Sequence, residues 1–441
     1  MMRSMFASVS GLSAHQAKMD VIGNNIANVN TIGYRASRTT FQEIFSQTLK
    51  GASTPDQTMG RGGSNPMQVG LGINISAIDT ITTRGSLQRT DNPTDLSIEG
   101  EGFFIVKGSN ADIYKFTRAG NFMIDKLGNL VTPGGLNVYG WLDYGGKPDM
   151  GGNYIFDTNK PVGPINLYAD EYNKNKMIVS AKATENIILS GNIDASMPIS
   201  DPGGDQSAQL IVPINVYDSL GKEYEINIEF RKMAASGGST TWGWKVAGSS
   251  ELDSTASGTI EFNAEGKIIT PVDSGKVTSS ITLIPDDIVG SQNFDVILDF
   301  TKISMFVSDN SVKPLSVDGY TSGNLTSYSI GTNGMITGIY SNGKQQPIGL
   351  IGLASFDNPA GLQRVGDNMY IPSTNSGDFK RAVKAGVGVV GMLNPGTLEM
   401  SNVDLAQQFT DMIVTQRGFQ ANSRIMTAVD EMLQEMVNMK R

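Results

Sequence analysis

From Leu405 to Val437 the chain reads LAQQFTDMIVTQRGFQANSRIMTAVDEMLQEMV, and its apolar residues keep a strict heptad. Leu405, Met412, Phe419, Met426 and Leu433 stand seven apart, with Phe409 and Val437 on the same seam. Gln416, Ser423 and Asp430 complete that seam, so it is apolar at one position and mostly polar at the other. Asn402 and Asp404 supply an N-cap and a first-turn carboxylate. A helix over 403–440 is predicted, roughly 55 Å long at 1.5 Å per residue. Ile425, Val429, Met432, Met436 and Met439 form a second band, so this helix needs more than one neighbour.

The N-terminus repeats the scheme. Met5, Leu12, Met19 and Ile26 are spaced by seven, and Val9, Gln16 and Gly23 fill the alternate positions, so the two ends read as partners. Asn24, Asn25, Asn28 and Asn30 favour caps and turns, and Gly33 tolerates positive φ, which ends this helix near Val29. Residues 35–49 read as a short second helix. Between the ends the period changes to two, as in Glu223, Tyr224, Glu225, Ile226, Asn227, Ile228, Glu229, Phe230. Turn chemistry recurs at Thr132-Pro133-Gly134-Gly135, Asp218-Ser219-Leu220-Gly221, Asn333-Gly334 and Ser341-Asn342-Gly343-Lys344, and residues 72–390 read as all-β. The fold class is therefore mixed: long terminal α-helices forming a coiled-coil layer, plus all-β middle and outer domains that are discontinuous in sequence.

Composition narrows the function. A chain of 441 residues suits two or three domains. A net charge of -9 argues against a nucleic-acid surface. The absence of cysteine removes disulfides, thiolate metal sites and cysteine nucleophiles, and the single His15 leaves no second imidazole for a proton relay. Polar residues interrupt every apolar run near the N-terminus, so no cleavable signal peptide is read there, and no stretch suits membrane insertion. Gly386-Val387-Gly388-Val389-Val390-Gly391 matches a dinucleotide-binding pattern, but Pro395 follows where a helix should run. Glu99 with Glu101, Asp286 with Asp287, and Asp295 with Asp299 are carboxylate pairs better read as solvated charges than as glycosidase acids. No cofactor and no enzymatic activity are expected.

Ala27-Asn28-Val29-Asn30-Thr31-Ile32-Gly33-Tyr34 resembles the signature of the flagellar axial proteins, the rod and hook family. Further matches are Asn92-Pro93-Thr94-Asp95-Leu96, Gly100-Glu101-Gly102-Phe103-Phe104 and Thr117-Arg118-Ala119-Gly120-Asn121-Phe122. Val216-Tyr217-Asp218-Ser219-Leu220-Gly221, Asp318-Gly319-Tyr320-Thr321-Ser322-Gly323, and the tail from Glu399 through Arg424 resemble the hook branch. The resemblance covers both ends and the flanks of the middle; 145–312 matches only at its turn motif. It implies a helical inner-tube domain from 1–30 and 401–441, a linker at 31–71 and 391–400, a β-rich middle domain from 72–145 and 313–390, and a β-rich outer domain at 146–312. It also implies a homopolymer that forms a hollow, bendable tube, a universal joint passing torque from rod to filament. Implied partners are the rod, hook cap and hook-filament junction proteins and the type III export apparatus with its chaperones, which places the protein outside the cell in the flagellar hook.

Within this reading the expected subunit-interface residues are Met5, Val9, Leu12, Met19, Ile26, Leu405, Phe409, Met412, Phe419, Met426, Leu433 and Val437, with Gln16, Gln416 and Ser423 setting register. The Gly-rich span 51–72 is read either as a compliant linker or as an extended arm pinned on a neighbouring subunit. Two alternatives stand beside the hook. A distal rod subunit is usually much shorter, and a secreted carbohydrate-active enzyme or adhesin requires a cleft and leaves the paired helical ends unexplained.

Overall fold

The structure is a computed structural model that describes residues 2–55, 62–108, 113–143, 155–170, 174–200, 208–247, 252–253, 256–270, 277–285 and 290–439. Two helices, α1 (Met2–Ala27) and α2 (Leu405–Met439), enclose a β-rich middle. The chain divides into two compact units, one of residues 1–174, 329–337 and 347–441, the other of residues 175–328 and 338–346.

In the second unit, strict alternation does what its period requires. Tyr224, Ile226, Ile228 and Phe230 point into the core while Glu223, Glu225 and Asn227 point outward or to the rim. Two five-stranded sheets contribute to one core that includes Phe230, Trp242, Trp244, Phe262 and Phe300. Phe300 is fully buried, with ring centroids 6.3 Å from Phe230 and 5.4 Å from Trp244. Asn186–Asp194 runs parallel to Phe294–Phe306, and the other sheet lies between them in sequence as the crossover. Asp218 is buried at the expected turn, where its Oδ1 accepts the amides of Leu220 and Lys222.

In the first unit, the outgoing and returning chain pair as antiparallel strands. Leu87–Arg89 lies beside Thr397–Glu399, and Leu96–Glu99 beside Met392–Pro395. Phe103–Lys107 sits centrally, next to Lys115–Thr117, Asn137–Trp141 and the end of Gln345–Ala354. Its core stacks aromatics edge to face, Phe103 on Tyr370 at 5.6 Å and Phe116 on Phe356 at 4.8 Å.

Several expectations are corrected. Residues 35–49 are not helical: β1 (Ser37–Glu43) and β2 (Ser46–Lys50) pair with β4 (Ile73–Thr80) and β3 (Met67–Gly70) as a two-stranded ribbon. Thr39, Thr40, Phe41, Ile44 and Phe45 favour a pleated strand, and the ladder to residues 67–80 overrides the weak helical pattern. The 31–71 span therefore carries ordered strands; of the Gly-rich run, residues 56–61 lie outside the described residues, as do Asp286 and Asp287. Asp404 rather than Asn402 caps α2, its Oδ1 accepting the amides of Ala406 and Gln407 at 2.9 and 3.2 Å. Gly386 and Gly388 take positive φ in a turn followed by the strand Met392–Pro395.

Replacing Phe300 with Ala should destabilise the second unit by about 3–5 kcal/mol through the cavity it leaves. A shift of the denaturant midpoint corresponding to less than about 1 kcal/mol would show that this ring is not central to the core.

Candidate functional site

The polar junction behind the helices explains the residues that carry the family resemblance. α1 ends at Ala27, and Asn28 closes the turn by donating its side-chain amide to the Asn24 carbonyl at 2.9 Å while accepting from Thr31 Oγ1 at 3.0 Å. Gly33 has φ +68°, and a Cβ there would lie 2.7 Å from the Ala119 nitrogen, so only glycine fits. Buried Tyr34 donates its hydroxyl to Asn25 Oδ1 at 3.2 Å; Asn30 is exposed. Asn25 acts like a strand partner for Ser37, accepting its N–H and donating to its carbonyl.

Glu399 forms the buried centre of this junction. Its carboxylate pairs with Arg35 at 2.7 Å and Arg118 at 3.3 Å, all three side chains being at most 5% exposed. Arg35 also donates to the Thr83 carbonyl and Arg118 to the Gly100 carbonyl. Burial, together with the neighbouring positive charge of Arg35, pushes Arg118 down to about 10 against the pull of Glu399. Asn402, displaced from its expected capping role, accepts the Ala36 amide and donates to the carbonyls of Ile81 and Thr83. The segments flanking both helices are thus tied to the same strands.

The helices pack antiparallel, but not through the expected seam. Asn25 donates to Gln408 at 3.0 Å, Lys18 pairs with Asp411 at 3.6 Å, His15 abuts Gly418, and Gly11 abuts Asn422. The contacting positions Ser8, Gly11, His15, Lys18, Ile22 and Asn25 face Gln408, Asp411, Thr415, Gly418 and Asn422, with Val429 buried further along. Each keeps the heptad rhythm one residue before the apolar seam, which is about 100° of rotation. Small residues explain the choice: Gly11 and Gly418 let the backbones approach where a Cβ would collide with Asn422 or His15.

The expected interface residues are consequently left at the edge of the pair. Met5, Leu12, Met19, Ile26, Met412, Phe419 and Leu433 are half-buried, whereas Val9, Leu405, Phe409, Met426 and Val437 are exposed. Val437 is 69% exposed and Phe409 51%. Gln16 and Gln416 are exposed and Ser423 half-buried. In this register Met2 falls opposite about Glu431, so the last two turns of α2 extend past α1. The heptad count missed Phe6, Ile413 and Val414, which are exposed apolar residues off its seam. It also missed Ile44, Phe45, Leu49, Met67 and Val69, exposed along the ribbon, of which only Met67 and Val69 keep a two-residue spacing.

His15 lies inside the helix seam. Its ring meets Phe41 edge-on at 5.9 Å, and its buried Nδ1 has no hydrogen-bond partner. Burial, then the charge of Lys18, lowers its pKa below the ordinary 6.5. Among the described carboxylates, Glu99, Glu101 and Asp295 are exposed, Asp295 accepts from Thr282, and Asp299 accepts the Thr301 amide. A concavity of about 340 Å³ between Trp141, Val162 and Asn166 holds a Lys160–Asp143 ion pair.

The chain matches, in order, models described as flagella basal body rod protein over residues 5–35, flagellar hook protein FlgE/F/G D1 domain over 97–182, flagellar basal body protein FlaE D2 domain over 191–320, and flagellar basal body rod FlgEFG protein C-terminal over 394–439. It is 37% identical to the flagellar hook protein FlgE of Borreliella burgdorferi and 35% identical to that of Treponema pallidum, in both cases across 100% of each chain. The crystal structure of Helicobacter pylori flagellar hook protein FlgE2 shares the fold with a TM-score of 0.51 at 16% identity, covering 71% of this chain and 100% of that one.

Two outcomes follow from the junction and the seam. Glu399→Ala leaves two guanidinium groups buried without their carboxylate and should cost about 3–5 kcal/mol of stability in thermal or denaturant unfolding; a loss under about 1 kcal/mol would contradict the central role given to the carboxylate. For His15, the unfolded chain binds the proton more readily than the folded one. The stabilisation from neutral His15 is complete above pH 6.5 and declines as pH falls toward the lowered folded value. Helical circular dichroism on heating should show that decline between pH 7 and 5, and His15→Gln should flatten it.

Proposed function

We propose how this chain works from what it is: it belongs to the flagellar hook protein family and is a structural subunit of the bacterial flagellar hook. Its terminal helices polymerise with those of neighbouring copies, completing a coiled-coil inner layer that one chain leaves unfinished. The observation that carries this reading is the one-residue offset, which turns Val9, Phe409, Met426 and Val437 away from the chain's own helix partner. Each such side chain, once fully covered, contributes roughly 1.5–3 kcal/mol. Many modest contacts suit a joint whose subunits change spacing as a curved tube rotates. Met426, Met432, Met436 and Met439 add thioether side chains that repack with little strain.

The ribbon favours the arm over the compliant linker. A two-stranded hairpin is marginal alone in water, and this one exposes Ile44, Phe45, Leu49, Met67 and Val69. A neighbouring subunit supplies the missing surface. Export through the type III apparatus, and contacts with rod, cap and hook-filament junction proteins at the two ends of the tube, complete the proposed role.

Sedimentation and negative-stain microscopy of the purified chain test it. The wild-type chain should form tubes, and Phe409→Asp with Val437→Asp should prevent them without lowering the unfolding temperature of the β units. Tubes of normal yield from the double variant, or from a chain ending at Asn402, would sink this account of assembly.

A further inference from the structure

The chain contains 21 methionines and no cysteine, so thioethers are its readily oxidised sulfur groups. Met2, Met67, Met123, Met177, Met233 and Met392 are exposed at separate places along the chain, whereas four further exposed methionines are gathered at one helix end. Met426, Met432, Met436 and Met439 occupy the outer half of α2 at 36%, 45%, 42% and 79% exposure. Met5 and Met19 are half-buried against the helix pair, and Met369 is buried in the first unit. Of the four at the helix end, Met432, Met436 and Met439 lie on the turns of α2 that extend beyond α1.

We propose that these four methionines are an oxidation site that governs whether a free subunit can polymerise, an inference that rests on the assembly role given to α2. The reactant is a two-electron oxidant of the peroxide class. A sulfur lone pair attacks one peroxide oxygen, the S–O bond forms as the O–O bond breaks, and the second oxygen leaves as water after proton transfer. Sulfur is oxidised by two electrons and the peroxide is reduced by two. The product is a polar, chiral sulfoxide in place of a flexible apolar group. On the isolated chain the change is nearly silent, because the sulfoxide remains hydrated. In the polymer the same group would have to be buried against a neighbour with its oxygen stripped of water, and burial of an unpartnered polar group opposes association. Several sulfoxides on one face combine to raise the concentration needed for assembly, on the order of tenfold or more. Once the tube is built, the neighbour covers the same sulfurs, so free subunits are sensitive and assembled ones protected.

The experiment treats free wild-type chain with hydrogen peroxide, quenches it, and measures assembled fraction by sedimentation beside site-resolved oxidation by peptide mass spectrometry. Oxidation at Met426, Met432, Met436 and Met439 should run ahead of Met5, Met19 and Met369. Assembly should fall on the order of tenfold in step with it, and treatment with methionine sulfoxide reductases should restore it. A quadruple variant, M426L/M432L/M436L/M439L, is compared with itself before and after peroxide, whatever its own yield, and should show no drop. If the variant forms no tubes at all, the wild-type map and the reductase recovery decide. The proposal is overturned if oxidised subunits assemble normally, if assembly loss tracks other methionines, or if the reductases remove the sulfoxides without restoring tubes. Failure of the untreated wild-type chain to polymerise would instead defeat the assembly reading itself.

Discussion

Close approach between α1 and α2 is the constraint on which the rest of the structure turns. Two helices that meet through Gly11, His15, Gly418 and Asn422 must align their small and polar faces. The apolar residues one position further round are thereby left at the margin. Had the seam run through Leu12, Met19, Met412 and Phe419, those side chains would have been covered within the chain, leaving less apolar surface to offer another. The pairing also needs a firm base, since helices alone hold their register poorly. Glu399 between Arg35 and Arg118, and Asn402 across Ala36, Ile81 and Thr83, anchor the last residues before α2 and the first strand after α1 in one polar junction.

The large-scale plan was legible in the sequence because its signals are periodic. Two heptad ends, an alternating middle, and turns at Gly221, Gly334 and Gly343 with positive φ are all where the pattern put them. The choice of seam was not legible. Ser8, Gly11, Lys18, Asp411 and Thr415 have no hydrophobic signature, and their heptad becomes visible only when the two backbones are side by side. The ribbon was missed for the opposite reason. Residues 35–49 carry enough mixed polarity to suit either structure, and the deciding ladder comes from residues 67–80, too far along the chain for a local pattern to reveal. Asn402 was misread because a capping residue and a cross-strand anchor look alike until their partners are known.

Edges are handled differently in the two units. In the second unit an outermost strand of each sheet carries a proline, Pro213 in Leu210–Tyr217 and Pro314 in Lys313–Val317, and the opposite margins are strands of two or three residues. Such edges discourage a further strand from adding on. β2 and β3 contain no proline and display apolar side chains instead. Ile211, Ile269 and Leu315 are exposed on the sandwich margins too, but there proline or short length limits strand addition, whereas the ribbon has no such guard.

The parallel pair formed by Asn186–Asp194 and Phe294–Phe306 imposes an order on maturation. Its two members are separated by the whole of the other sheet, so the sandwich cannot close until that long intervening stretch has emerged and found its place. Such distant pairings form slowly compared with local turns. A polypeptide built this way stays open while its latter part is still missing, and it sets hard only when the last of these strands has arrived.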